Sequence, residues 1–430
     1  MTPALADLQP GDRVALLVPG STAYVDVVLS LLAEGIFPVP LDPRLTPHER
    51  ERILANLQPA RTITAESQLP TLVTERKREL PRGRPMHVTS GTTGTPKGVF
   101  SGLLSEDNAR RLVAEERELW GFNATDVNLV LSPLYHSAPL RFATGTLLAG
   151  GRVVGFDSDG RQPGFDPERI TQIIDDERPT TMFCVPAHLQ RLLAHWDAHG
   201  TPDLSCFRLV AHAGAACPDV VKRRIINLFP AGSTWEFYGS TEGQFTACAS
   251  EEWLSRPGTV GRARPGRTIA VDDDGQIWCT VPEHARFSYF NDPDKTAQAW
   301  RATPDGPAFS VGDLGRLDTE GYLHLDGRRE DLVITGGVNV YPTEVENALA
   351  EHPLVADVAV YGVPDEQWGQ RVVATVVGTA SEDELDGWAR ERLAPPKRPK
   401  EYRFSDELPR TLTGKVRRRE LAAEADDERP

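Results

Sequence analysis

VTSGTTGTPKG, residues 88–98, sets two glycines, four threonines and a serine ahead of a single lysine, Lys97, and a closing glycine. A loop with so few bulky side chains lets backbone N–H groups and hydroxyls close on an anion, and the lysine adds one point charge. Phosphate binding requires that combination. The GxxxxGK[ST] phosphate loop needs glycine before the lysine and Ser or Thr after it, whereas Pro96 and Gly98 stand there, so this is a loop of another class. Taken alone, the stretch also reads as a flexible glycine loop, and its surroundings decide.

Outward from it, short apolar runs alternate with helical patterns through the first 240 residues. RVALLVP, STAYVDVVLSLLAEG, FPVPL and TPHERERILANL come first, the last with Thr46 and Glu49 as a capping box and Pro47 at the first helical position. VNLVLSP, LRFATGTLLAG, RVVGF, a helix over 166–176, TTMFCVP, AHLQRLLAHW, RLVAHAG, PDVVKRRIINLF and STWEFYG continue the rhythm. Such βα alternation predicts a mostly parallel sheet covered by helices, with ligand loops at the carboxyl ends of strands. The 88–98 loop follows one of them, over 86–89.

From about residue 258, glycine-punctuated short strands predict an antiparallel β-rich subdomain, about 258–327. A charged stretch at 327–331 reads as a hinge, and beyond it lies a separate βα pattern, with a helix from Thr343 and another capped by Ser381 with Glu384. The expected organisation is a domain over 1–327 and a smaller one over 328–430. The fold class is α/β: a large N-terminal domain of mixed sheets with helices plus the β-rich subdomain, then a small α+β C-terminal domain.

Composition narrows the function. Acidic residues outnumber basic ones 62 to 47, a net charge of -15, which argues against broad attraction to nucleic acid or anionic membrane. The five cysteines are odd in number, scattered and without a CxxC pair, so they signal neither a disulfide framework nor a zinc site. With no leader-like N-terminus and no run of roughly 18 apolar residues, no membrane span and a cytoplasmic location are expected.

Two more turns bear chemistry. EFYGSTEG, 236–243, ends a strand in a polar turn with Glu242, a hard oxygen ligand suited to Mg²⁺ beside phosphates. SVGDLGRLDTEGYLHLDGRRED, 310–331, places Asp313 where a carboxylate can accept both hydroxyls of a ribose. Either turn alone reads more readily as a satisfied loop.

Together and in this order, TSGTTGTPKG, YGSTEG, GDLGRLD, GRREDLVITGGVNVYPTEVE and LPRTLTGKVRRREL resemble the motifs of the adenylate-forming superfamily of acyl-CoA synthetases, luciferases and peptide-synthetase adenylation domains. The resemblance runs through almost the entire chain. PLYHSAP, AACP, RPGTVG and GVNVYPTEVENAL look most like fatty-acyl and related carboxylate-CoA ligases. It implies a mobile C-terminal domain, a cosubstrate ATP with Mg²⁺, coenzyme A as acceptor and a small-molecule acid as substrate. Thr89, Ser90, Gly91, Thr92, Thr93, Gly94 and Lys97 would hold the triphosphate, and Tyr238, Gly239 and Thr241 would border adenine and the α-phosphate. Glu242 would bind the metal, Asp313 and Arg328 the ribose, Lys415 the carboxylate and α-phosphate. His136 would gate the acyl pocket, and Gly336 and Gly337 would line the thiol tunnel. Because a carboxylate attacks phosphorus directly, no protein nucleophile is needed, and catalysis is alignment and charge stabilisation.

The phosphate loop arrives early, by residue 89, which implies a cut-down N-terminal region and favours small or aromatic acids. Arg141, near the pocket expected after PLYHSAP, could pair with an anionic substrate tail, but it reads more readily as a surface helix arginine. Transfer to an amine, as an amide-forming or diazotase-like ligase without CoA, is the alternative outcome for the adenylate.

Overall fold

The computed structural model describes residues 5, 7–89, 97–157, 160–328, 331–411 and 415–427. Ser90, Gly91, Thr92, Thr93 and Gly94 lie outside the described residues. Among the described residues the main body is a seven-stranded sheet. Five strands run parallel in the order Thr234–Gly239, Leu209–His212, Thr181–Cys184, Val127–Val130 and Arg152–Val154. Gln244–Ala249 and Arg262–Ala263 extend one edge antiparallel.

Successive strand residues face opposite sides, and each side has its own core. Leu129, Met182 and Val210 pack under the helices Pro167–Glu177, Pro186–His199 and Asp219–Leu228. Phe183, Leu209, Ala211 and Phe237 face the helices Glu106–Trp120 and Ser137–Leu148. The first 63 residues build a three-stranded parallel sheet, Phe37–Pro40, Arg13–Leu16 and Arg61–Ile63. Its helix Thr22–Ala33 is apolar nearly all round and buried accordingly. The capping box at Thr46 forms as read, with Glu49 N–H donating to the threonine hydroxyl at the start of Pro47–Leu57.

One expectation fails. His87–Thr89 is not in the parallel sheet; it pairs antiparallel with Lys97–Phe100, and Ser288–Tyr289 joins on the far side. The cause is the apolar run directly after Lys97: Val99 is buried, and it draws the chain back as a returning strand instead of into a helix. The strands on either side of the glycine-rich stretch therefore pair with each other.

The β-rich region forms as expected, from a four-stranded antiparallel sheet and the ribbon Asp313–Leu317 with Leu323–Arg328. Beyond residue 331, Val355–Asp365 and Gly369–Gly378 make a long antiparallel pair, edged by Glu401–Phe404 and Val333–Thr335. Helices Pro342–Ala350 and Glu382–Arg392 cover one face and Arg418–Asp427 the other. No helix among the described residues is long and apolar enough to cross a membrane. All five cysteines are free thiols.

Candidate active site

Three turns from separate parts of the fold converge. The strand Thr234–Gly239 bends back into Gln244–Ala249 through a register shift at Tyr238 and Gly239. A side chain at Gly239 would meet the Gly243 carbonyl oxygen at 2.7 Å, so the turn closes only with glycine there. The closure buries Glu242 and lets the Tyr289 hydroxyl donate to its carboxylate at 2.8 Å. Glu242 makes no ion pair among the described residues, and a buried carboxylate lacking a cation fits a metal ligand. Thr241 stands beside it on the wall of a cavity.

On the next ribbon Asp313 is paired in register with Arg328, and Arg328 Nε lies 3.1 Å from its carboxylate. The Tyr238 hydroxyl donates to the same carboxylate at 2.6 Å. Burial, with the Asp313 charge added, holds the Tyr238 phenol well above its usual range, so it remains a donor. One hydrogen bond thus ties the proposed adenine and ribose turns together.

Lys415 comes to this cluster from the far end of the chain. Its backbone N–H donates to the Thr411 hydroxyl at 3.1 Å, and its carbonyl accepts from Thr411 N–H at 2.7 Å, which fixes its backbone against Thr411. The residue is exposed, yet crowding around its ammonium and then the Arg328 guanidinium hold it below the ordinary lysine range. Asp313, Glu242 and Asp331 oppose that drop. His136 also senses Lys415. Burial chiefly lowers the imidazole to about 4, so the ring is neutral at pH 7. Its Nε2 has no hydrogen-bond partner among the described residues.

Lys97 opens the strand after the glycine-rich stretch, its ammonium 2.6 Å from Asp292. Thr89 is described at the end of its strand, its hydroxyl 3.5 Å from the Lys97 carbonyl. Gly336 and Gly337 form a tight exposed turn with φ of +56° and +78°. Gly336 N–H donates to the Trp368 carbonyl at 2.8 Å. No hydrogen bond or ion pair among the described residues joins that turn to Glu242, Asp313 or Lys415.

Sequence reading missed Tyr289 and Asp292, although the alternation in FSYFND and the helix-starting Asp-Pro pair at 292–293 were visible signals. Of the two readings of Arg141, the surface one fails. Helix Ser137–Leu148 is packed on several sides, and its Arg141 faces a cavity of about 180 Å³ that reaches Thr241 and Gly243. Its Nη1 is sealed from solvent, so it is not a surface arginine.

The AMP-binding enzyme model matches residues 4–88 and 85–282, and the model of the AMP-binding enzyme C-terminal domain matches 344–415. The chain belongs to the AMP-binding enzyme family. This AMP-binding enzyme is 35% identical to the indoleacetate–CoA ligase of Aromatoleum aromaticum, over 77% of its own length and 65% of the relative's. It is 32% identical to a feruloyl-CoA synthase of an Amycolatopsis species, over 97% and 89%. ATP-bound MatB from Rhodopseudomonas palustris superposes with a TM-score of 0.81 at 29% identity, covering 99% of this chain and 91% of that one. The amide bond synthetase McbA from Marinactinospora thermotolerans gives 0.82 at 26%, covering 99% and 92%. Within the family this AMP-binding enzyme is an AMP-forming acid–thiol ligase, with ATP and CoA as cosubstrates.

Proposed function

We propose that the chain activates a small-molecule carboxylic acid as its acyl-adenylate in a cleft between an N-terminal body, 1–327, and a mobile C-terminal body, 328–430, and then passes the acyl group to coenzyme A. The observation that carries the assignment of roles is the approach of Lys415 to Asp313, Glu242 and His136, which come from three distant segments. Asp313, backed by Arg328, takes the ribose hydroxyls. Tyr238, Gly239 and Thr241 border adenine and the α-phosphate. Lys97, with Thr89, Ser90, Gly91, Thr92, Thr93 and Gly94, receives the outer phosphates. Glu242 would hold Mg²⁺, which would supply charge neutralisation at the phosphates.

The acid's carboxylate attacks the α-phosphorus and pyrophosphate leaves. Lys415 spans the attacking carboxylate and the α-phosphate, offsetting the charge that builds between them. Neutral His136 borders the acyl side without adding a positive charge that would weaken Lys415. After rotation near 328–331, the Gly336–Gly337 turn would line the thiol tunnel, where missing side chains leave room for a narrow arm. Free thiols and the acidic net charge support a cytoplasmic setting.

A second reading, an amine acceptor in place of CoA, draws on the likeness to the amide bond synthetase. Pyrophosphate release across a panel of acids, with product analysis in the presence of CoA or amines, tests both. Acid-dependent release with thioester formation is the expected result; release yielding only amides favours the second reading.

A further inference from the structure

The cavity beside Thr241 and Gly243 is apolar on one side and charged on the other. Leu29, Leu32, Leu140 and Leu148 form the first wall. Arg84, Arg141, Arg264 and Arg267 enter the second, with Glu116 and Gln244. Arg117 also reaches the lining, but it is exposed to solvent.

The anionic partners do not suffice for these guanidinium groups. Glu115 pairs with Arg264 at 2.9 Å and Arg267 at 2.7 Å, and Glu116 pairs with Arg264 at 3.0 Å. The remaining oxygen of Glu115 meets His284 at 2.7 Å. Arg84 is left to backbone carbonyls, the best that of Arg286 at 2.9 Å. The Arg141 guanidinium has no hydrogen bond or ion pair with any described residue. The Gln244 amide likewise leaves both its oxygen and its nitrogen unpaired. His87, on the same lining, is held neutral by burial. Two glutamates thus stand against four enclosed arginines. A buried guanidinium that feels the charges of Glu116 and Glu115 but has no hydrogen-bond or ion-pair partner among the described residues, together with an idle buried amide, is an arrangement that an anion completes.

We propose that this cavity receives the acyl portion of an acid carrying a second anionic group, such as a dicarboxylate, with Arg141 pairing that group and Gln244 donating an amide hydrogen to it. The inference rests on the acid-activating reading of the cleft and narrows its substrate class. A purely hydrocarbon acyl chain would suit the leucine wall but leave Arg141 and Gln244 desolvated and unpaired. A second carboxylate satisfies both while the hydrocarbon between the two carboxylates lies along the leucines.

The test compares monoacids with diacids of equal chain length, and aromatic acids with their carboxylated counterparts, by pyrophosphate release. The diacid of each pair should be favoured by about tenfold or more in kcat/KM, the range of one charge-assisted hydrogen bond. Arg141→Leu should erase that preference through the diacid's KM, and Arg141→Lys should restore part of it. If Arg141→Leu melts early, Gln244→Leu gives the same readout. Equal handling of both members by the unmodified protein, or a preference that persists in the Arg141→Leu and Gln244→Leu variants, overturns the proposal. Calorimetric titration with the diacid separates the two readings: binding without pyrophosphate release would sink acid activation while sustaining the pocket.

Discussion

Lys97 and Asp292 form a 2.6 Å ion pair between the strand that follows the glycine-rich stretch and the N-cap of helix Pro293–Ala299. Asp292 also accepts from Lys295 N–H at 3.0 Å, so one carboxylate both starts a helix and aims the lysine. Lys97→Ala should lower pyrophosphate release by roughly 10²–10³, the scale of one preorganised charge contact, with melting little changed because the pair lies outside the core. Asp292→Asn retains the cap and should lose much less, mainly in KM for ATP. Initial rates at varied ATP decide, and an unimpaired Lys97→Ala would remove the lysine from the phosphate site.

Glu242 is buried beside the Tyr289 hydroxyl with no ion-pair partner among the described residues. Glu242→Gln keeps the shape and the tyrosine contact while removing the charge. It should raise the Mg²⁺ concentration needed for half-maximal rate by about tenfold or more, consistent with loss of a charged contact. A Mg²⁺ titration identical to that of the unmodified protein would refute the metal role.

Burial lowers His136 and His188 to about 4 and His87 to about 3. Because these folded values lie below the ordinary 6.5, the unfolded chain takes up protons first as pH falls. Their contribution to stability is therefore complete above about 6.5 and is lost progressively as pH drops toward 4 and then 3. Melting temperature should decline across that window. His188→Phe, which keeps the stacking on Phe165, should flatten part of the slope. A pH-independent melt between 7 and 4 would contradict the buried neutral histidines.

Lys415 and Gly337 should fail at opposite steps. Lys415→Ala is expected to lose adenylate formation by about 10² or more yet still convert supplied acyl-adenylate and CoA to thioester. No described atom stands within 4 Å of a Cβ added at Gly337, although its φ of +78° disfavours a side chain there. Gly337→Trp should therefore leave adenylation near normal and block the thiol step. If it slows neither step, the turn does not line the thiol's route.

Much of the fold was legible because period and punctuation agree: the alternating apolar runs became the parallel strands, and the Thr46 and Ser381 capping boxes formed where read. The strand His87–Thr89 was found but assigned to the wrong sheet, since strand pairing is settled by distant partners such as Ser288–Tyr289. Glu242, Asp313 and Lys415 were visible because each sits in a compositionally odd turn. Tyr289 and Asp292 were not, and Arg141 was only the lesser of two readings, because their roles depend on what packs opposite them. On an isolated helix Arg141 looks like a solvated charge, and only the leucines and glutamates of other segments enclose it.

Arg328 ends the last strand before the proposed hinge, and its register partner is Asp313. A nucleotide drawing on Asp313 must therefore exert leverage on the segment that carries the C-terminal body. Linkage makes that leverage mutual: whichever arrangement of the two bodies favours the Asp313–Arg328 pairing for ribose also tightens nucleotide binding, by the factor with which nucleotide favours that arrangement. The ribbon Asp313–Arg328 thus serves as a two-way balance, weighing the occupancy of the cleft against the posture of the far end of the chain.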